Sequence, residues 1–156
     1  MEKANPKRPA SAGSSRPPAR PATGKYARAC VVLVVDDAKD SLEMYAAYFT
    51  HSGFHVLTAV DGAEGIVKAL ARRPDAIVMD LAMPRMDGFE ATRRLKANPE
   101  TKHIPIIVLT GNGLGGHAIA TRAGCDAYLL KPCGLADLVG VVRSLIDVAG
   151  ATARGD

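Results

Sequence analysis

The sequence has no tryptophan, only seven other aromatic residues and three cysteines among its 156 residues. Cys30, Cys125 and Cys133 are odd in number and form no C-x-x-C pair, so they indicate neither a disulfide framework nor a zinc site. A reduced, cytoplasmic compartment suits this composition. The longest wholly apolar run, residues 29–35, is far shorter than the roughly 20 residues that cross a bilayer, so we expect no membrane span.

The charge is spread unevenly along the chain. Residues 1–28 contain seven Lys or Arg against one acid, whereas the remaining thirteen basic and fifteen acidic residues give residues 29–156 a net charge of −2. The first segment is rich in Pro, Ala, Ser and Arg and has almost no large apolar residue, so it cannot offset its ordering entropy by burial. We therefore expect a disordered basic tail over residues 1–28, whose role the sequence does not define.

From residue 29 onward the chain alternates between two hydrophobic periods. Short apolar runs typical of buried strands alternate with amphipathic segments of helical period. In the second helix, Asp61 and Glu64 have the spacing of a capping box, and we expect Ile66, Ala69 and Leu70 to be buried. The predicted strands are CVVLVVDD, HVLTA, DAIVMDL, IPIIVLT and DAYLLKP.

Strand and helix alternate five times, which predicts right-handed crossovers and one parallel sheet with helices on both faces. The expected fold class is a doubly wound α/β fold over residues 29–150. We expect the five strands in the flavodoxin-like order 2-1-3-4-5. A short C-terminal tail over 151–156 follows the closing helix LADLVGVVRSLIDVAG.

Polar side chains stand where several predicted strands end. Asp36 and Asp37 end the first strand, Asp80 the third, Thr110 the fourth and Lys131 the fifth. Because ligands of doubly wound sheets bind at the carboxyl edge, these groups are expected to meet there. Clustered carboxylates repel one another, and Mg²⁺ relieves such repulsion through oxygen ligands. The set is suited to phosphoryl transfer, with an aspartate as the nucleophile.

The order of these residues resembles a known family. Asp36-Asp37, then MDLAMPRMDG at 79–88, then Thr110 and then DAYLLKP at 126–132 are similar to the receiver domain of two-component response regulators. The resemblance covers about residues 29–150, and the D-x-x-M-P-x-M-D-G motif is highly specific.

The resemblance implies a phosphoacceptor site. It implies that Asp80 accepts a phosphoryl group from a phosphohistidine of a sensor histidine kinase or a phosphotransfer protein. Asp37, Asp80 and the backbone carbonyl of Ala82 are expected to hold Mg²⁺, with Asp36 in support through water. Lys131 is expected to contact the phosphoryl oxygens, and its bond to Pro132 to be cis.

The resemblance also implies a switch. Thr110 is expected to move toward the phosphoryl group while Tyr128 turns inward, which changes the surface formed by the fourth helix, the fifth strand and the fifth helix. The domain is then a stoichiometric phosphoacceptor that docks on another protein, not an enzyme with turnover, and we expect no direct DNA binding by it. Since few residues follow the fifth helix, we expect a single-domain regulator.

Two alternatives stay open at this point. The chain is also compatible with a receiver belonging to a hybrid histidine kinase. It is further compatible with a degenerate receiver that acts as a constitutive binding module, although every chemical residue of the pattern is present. An aspartate-nucleophile phosphatase is excluded, because that pattern has a second Asp two residues after the nucleophile and Asp80 is followed by Leu81-Ala82.

The segment LTGNGLGGHA contains a G-x-G-x-x-G pattern at Gly111, Gly113 and Gly116. A dinucleotide-binding fingerprint belongs on the first strand-helix turn with an acid about 20 residues later, and both conditions fail here. Each glycine inside a helix costs about 1 kcal/mol relative to alanine. We therefore expect the fourth helix to start late, or to be short and mobile, before phosphorylation.

Overall fold

The computed structural model describes residues 28–83, 85–111 and 115–153. Within these ranges five strands alternate with five helices, as the two hydrophobic periods predicted. The elements are β1 (Val31–Val35), α1 (Lys39–His51), β2 (His55–Ala59), α2 (Gly62–Arg72), β3 (Ala76–Asp80), α3 (Gly88–Ala97), β4 (Ile106–Thr110), α4 (Gly116–Ala123), β5 (Ala127–Leu130) and α5 (Leu135–Ala153).

All strand pairs are parallel and the strand order is β2-β1-β3-β4-β5. This confirms the predicted doubly wound, flavodoxin-like fold. Val34 of β1 pairs with Thr58 of β2 on one side and with Val78 of β3 on the other. The order of the strands reverses between β1 and β3, so a crevice is expected at the carboxyl ends of these two strands.

The sheet separates two hydrophobic cores, because successive residues of a strand point to opposite faces. Val32 and Val34 of β1 pack with α1 and α5, whereas Leu33 and Val35 pack with α2, α3 and α4. All five residues of β3 and all five of β4 are buried. The central strands therefore hold their carboxyl ends in a rigid frame.

Helix α2 packs through smaller residues than the sequence predicted. Ala69 is buried, but Ile66 and Leu70 are only half-buried, and Gly65 takes their expected place against the sheet. A Cβ atom on Gly65 would lie 3.0 Å from Cγ2 of Val35. The prediction for Ile66 and Leu70 was too strong, because α2 approaches β1 so closely that its contact face is made of small residues.

The helices begin in two different ways. Asp61 caps α2 by accepting a hydrogen bond from the backbone N–H of Glu64 at 2.8 Å, as the capping-box spacing predicted. Asp87 caps α3 in the same way through the N–H of Glu90, at 2.9 Å. In contrast, α4 begins at Gly115, which has a φ of 74° and makes no side-chain cap. At eight residues α4 is short, as its glycines predicted; its mobility stays a prediction.

The ends of the folded region differ slightly from the predicted boundaries. The guanidinium of Arg28 donates to both carboxylate oxygens of Asp75, at 3.0 and 3.2 Å, so Arg28 already contacts the domain. Of the tail predicted over residues 1–28, residues 1–27 lie outside the described residues. Helix α5 continues to Ala153, past the predicted boundary at 150, because alanines are strong helix formers.

Within the described residues, no helix combines the length and the apolar character that crossing a membrane requires.

Candidate functional site

Three carboxylates meet at the carboxyl edge of β1 and β3. Asp36 and Asp37 follow β1, Asp80 ends β3, and one carboxylate oxygen from each lies within 4.8 Å of the others. Asp36 and Asp80 are only 2% and 6% exposed, whereas Asp37 is exposed to solvent. The structure thus brings together all three predicted acidic side chains and leaves one of them open to an incoming ligand.

Asp36 is fixed in place by the start of α1. Its Oδ1 atom accepts a hydrogen bond from the backbone N–H of Ala38 at 2.8 Å, and its own N–H donates to the carbonyl of Ala59 at 3.1 Å. Its Oδ2 atom faces the Lys131 ammonium at 3.5 Å. Both oxygens of Asp36 therefore have partners within the protein.

Lys131 follows β5, at the end of the sheet opposite β2, and its side chain reaches the acidic cluster. Its backbone N–H donates to the carbonyl of Thr110 at 2.7 Å, and the Lys131-Pro132 bond is cis. Its Nζ atom lies 3.3 Å from Oδ1 of Asp80 and also faces Asp36. Burial lowers the pKa of the Lys131 ammonium, but the charges of Asp80 and Asp36 together outweigh it and raise the pKa above its usual value. The ammonium stays charged at neutral pH.

Burial raises the pKa of the Asp80 carboxyl above its usual value, and the charge of Asp36 raises it further. The Lys131 ammonium and a backbone hydrogen bond from Ala82 lower this pKa but do not cancel the effect of burial. The negative charge of Asp80 is therefore only partly compensated by the protein. A bound cation would complete the compensation, and an all-oxygen donor set suits Mg²⁺.

The two predicted switch residues lie on neighbouring strands. Thr110 ends β4 and is buried, while Tyr128 is half-buried on β5, where it pairs with Val108. The Tyr128 ring meets His117 of α4 edge to face, with 5.1 Å between the ring centroids. The structure thus places Thr110 at the acidic edge and Tyr128 against the start of α4.

Gly88, the last residue of the MDLAMPRMDG motif, is a further residue of the site, to which no prediction assigned a role. A Cβ atom on Gly88 would lie 2.2 Å from the carbonyl oxygen of Asp80 and 2.9 Å from Cα of Leu81, closer than real Cβ atoms approach. The N–H of Gly88 also donates to the carbonyl of Leu81 at 3.1 Å. Only glycine lets α3 begin directly against the carboxyl end of β3. In the sequence, this close approach of α3 to β3 is indicated by the final Gly of the MDG triplet.

Tyr45 is a second residue coupled to the site that was not predicted to belong to it. Its place on the apolar stripe of α1 indicates only a core residue, and it is indeed buried. Burial raises the pKa of the Tyr45 phenol; the Lys131 ammonium opposes this, and Asp36 and Asp80 add to it. The phenol is therefore electrostatically coupled to the acidic cluster, a relation that periodicity cannot reveal.

A parallel sheet whose carboxyl edge carries clustered aspartates and a lysine defines a class of phosphoacceptor protein. A family model described as the response regulator receiver domain matches residues 32–143. The chain therefore belongs to the receiver-domain family of two-component response regulators, and this family consists of signalling phosphoacceptors.

Individual relatives agree with this assignment. The transcriptional regulatory protein PrrA of Mycobacterium tuberculosis is 43% identical over 123 residues, which are 78% of this chain and 52% of PrrA. The chain therefore spans about half the length of PrrA. The polar-differentiation response regulator DivK of Brucella anthropi is 30% identical over 116 residues, which are 74% of this chain and 94% of DivK.

A solved structure is similar as well. The receiver domain of the sensor histidine kinase PA1611 from Pseudomonas aeruginosa is 33% identical and superposes with a TM-score of 0.71, covering 76% of this chain and 98% of that one. That structure carries a magnesium ion coordinated in its active-site cleft. The roles assigned above to individual residues of the present chain stay predictions.

Proposed function

We propose that the protein is a phosphorylation-dependent signalling switch. In this proposal Asp80 accepts a phosphoryl group from a phosphohistidine of a sensor histidine kinase or a phosphotransfer protein, in the cytoplasm. The observation that carries it is the position of Asp80. Its carboxylate is buried, incompletely compensated, and lies beside both Lys131 and two further acids.

The donor set of the acidic cluster fits Mg²⁺, which prefers a few carboxylates together with water and phosphate oxygens. Asp37, Asp80 and the backbone carbonyl of Ala82 would hold the ion, and Asp36 would support it through water. When bound, the ion neutralises charge between the carboxylates and the phosphoryl oxygens. The exposure of Asp37 and Ala82 leaves room for those oxygens to approach.

Three residues of the chain then have separate roles in the reaction. A carboxylate oxygen of Asp80 attacks phosphorus, the phosphorus–nitrogen bond of the phosphohistidine breaks, and an aspartyl phosphate forms. Lys131 turns its ammonium from the Asp80 carboxylate to the phosphoryl oxygens, where its charge is needed. The hydroxyl of Thr110 donates a hydrogen bond to one of these oxygens. Each protein molecule takes one phosphoryl group.

The output is a change of surface. Movement of Thr110 and Tyr128 would alter the face formed by α4, β5 and α5, on which a partner protein docks. Each of these elements exposes one large apolar side chain: Ile119 is 45% exposed, Leu130 50% and Val148 61%. Exposed apolar groups of this size are suited to burial in an interface. We do not expect this receiver to contact DNA directly.

A second candidate is a receiver that works within a hybrid histidine kinase. The likeness to the PA1611 receiver, itself part of a sensor histidine kinase, favours it. The site chemistry would be the same in both cases, and only the origin of the phosphoryl group and the destination of the signal would differ.

The central experiment incubates the protein with Mg²⁺ and a small acyl phosphate and measures its intact mass. We expect a gain of one phosphoryl group in the wild type and none in Asp80→Asn. Asp40→Asn is the matched control, because Asp40 is an exposed acid in the first turn of α1. An unmodified wild type, or a phosphorylated Asp80→Asn variant, would contradict the proposal.

A further inference from the structure

The start of α4 lies between the two switch residues. Gly116, the first residue of α4, is buried. A Cβ atom on Gly116 would lie 2.9 Å from the hydroxyl oxygen of Tyr128 and 3.8 Å from Cγ2 of Thr110. A side chain at this one backbone position would therefore meet the tip of Tyr128 and the methyl group of Thr110 at once.

His117 is another neighbour of Tyr128. The two rings meet nearly at right angles, at 87°, which is a favourable arrangement for aromatic side chains. Gly116 and His117 together form a surface on which the tip and the ring of Tyr128 rest. We call these two residues the tyrosine seat.

We propose that Gly116 is a positioning residue of the switch, because the absence of a side chain there leaves room for the tip of Tyr128 at the start of α4, at a position that Thr110 also borders. This inference rests on the proposed function. When Thr110 moves toward a phosphoryl group, its methyl group leaves the neighbourhood of Gly116, and the space beside the tip of Tyr128 changes. A side chain at position 116 would displace Tyr128 beforehand and uncouple its position from that of Thr110.

The structure allows a clean test of this idea, since Gly116→Ala is not expected to disturb the fold. The close contact of the added Cβ is with the far end of the Tyr128 side chain and not with backbone atoms. Gly116 does not have the left-handed φ of its neighbour Gly115, at 74°. Alanine is also the better helix former. The substitution therefore moves Tyr128 rather than α4.

Gly111 supplies a matched control. A Cβ atom on Gly111 would meet no described atom within 4 Å, and its φ lies outside the left-handed region. Gly111→Ala thus makes the same chemical change in the same segment without touching Tyr128. His117→Ala is a second variant, which weakens the tyrosine seat without adding volume.

The experiment records NMR signals of the Tyr128 ring and of the backbone amides of Asp80 and Thr110, before and after adding Mg²⁺ and beryllium fluoride, a phosphoryl mimic. In the wild type and in Gly111→Ala, we expect the three residues to respond together. In Gly116→Ala, the Tyr128 ring signals should be shifted before any addition. Their further change on addition should fall to less than half, while the Asp80 amide responds as in the wild type.

The outcomes separate the two proposals. If the wild type shows no response at Asp80 and Thr110, the proposed function fails. A second outcome is that the wild type responds, but the Tyr128 ring signals of Gly116→Ala match those of Gly111→Ala both before and after the addition. In that case the role proposed for Gly116 is wrong and the proposed function stands. His117→Ala should shift the Tyr128 ring signals in the free protein, and unchanged signals there would remove His117 from the seat.

Discussion

The two halves of the sheet edge are built differently. In the acidic half, around β1 and β3, helices α2 and α3 start with aspartate caps and pack without spare room. A Cβ atom on Gly62 would lie 2.8 Å from the carbonyl oxygen of Met86, and one on Gly88 would lie 2.2 Å from that of Asp80. In the switch half, around β4, α4 and β5, Gly115 starts the helix with no side-chain cap, and a Cβ atom on Gly111 would meet no described atom within 4 Å.

This difference fits a division of labour. Phosphoryl chemistry depends on fixed geometry, and the acidic half places its carboxylates on strands whose neighbours cannot shift. A change of surface needs an element with few stabilising interactions, and α4 is short and weakly capped. We therefore expect substitutions of the same kind to have large effects in the acidic half and small effects in the switch half.

The largest difference is expected between two glycine substitutions. Gly88→Ala forces a methyl group against backbone atoms at the carboxyl end of β3. We expect it to lower the free energy of unfolding by about 3 kcal/mol or to prevent folding. Gly111→Ala should change it by less than about 0.5 kcal/mol. Urea unfolding of both variants measures this. Similar losses in the two would show that the halves are packed alike.

We expect Mg²⁺ to stabilise the acidic half of the sheet edge and not the switch half. At about 100 times its dissociation constant, a ligand that binds only the folded state stabilises it by about 2.7 kcal/mol. We expect Mg²⁺ to raise the melting temperature accordingly, and Asp37→Asn to abolish most of this rise. Hydrogen exchange should slow around Asp36 and Asp80 and hardly change in α4. Equal protection in both halves would contradict the comparison.

The buried charge of Asp80 should make stability depend on pH. Because the pKa of Asp80 is raised in the folded protein, its contribution to stability is fully present below its unfolded pKa and is lost as pH rises through the folded pKa. Without Mg²⁺, Asp80→Asn should therefore be more stable than the wild type at pH 7, by about 1–3 kcal/mol.

The advantage of Asp80→Asn should shrink as the pH falls through the folded pKa of Asp80, because the wild-type carboxyl then becomes neutral. Thermal unfolding of both proteins across the acidic range checks this. Asp40→Asn, an exposed acid, serves as the control. A wild type that is more stable than Asp80→Asn at pH 7 without Mg²⁺ would show that Lys131 fully compensates the charge.

The smallest effect concerns two threonines. The buried hydroxyl of Thr92 in α3 has no hydrogen-bond partner among the described residues, so Thr92→Val should raise the free energy of unfolding by about 1 kcal/mol. Thr121 in α4 is exposed and donates to the carbonyl of His117 at 2.8 Å. Thr121→Val should change stability by less than about 0.5 kcal/mol. Chemical unfolding distinguishes the two, and a loss in Thr92→Val would indicate an unseen partner.

The sequence was informative wherever a local pattern has one physical cause. Strands buried on both faces must be continuously apolar, and amphipathic helices must repeat their apolar residues every 3.6 residues, so the alternation of strands and helices followed from hydrophobic period. The fourth helix was expected from its place in this alternation, because its segment begins with a run of glycines. Right-handed crossovers then place the carboxyl ends of parallel strands at one edge. That is why Asp36, Asp37, Asp80 and Lys131 could be assigned to one site before any coordinates.

Other features depended on approach distances between elements far apart in the chain. The 3.3 Å contact of Lys131 with Asp80, the electrostatic influence of the acidic cluster on Tyr45, and the lack of room for a Cβ atom on Gly116 beside Tyr128 exist only in the folded chain. Periodicity shows which face of an element is buried, but it does not show which atoms meet there. By itself the sequence thus determined the fold and the membership of the site, while the tertiary structure decided which carboxylate is buried and what the glycines touch, because burial and contact are set by three-dimensional packing.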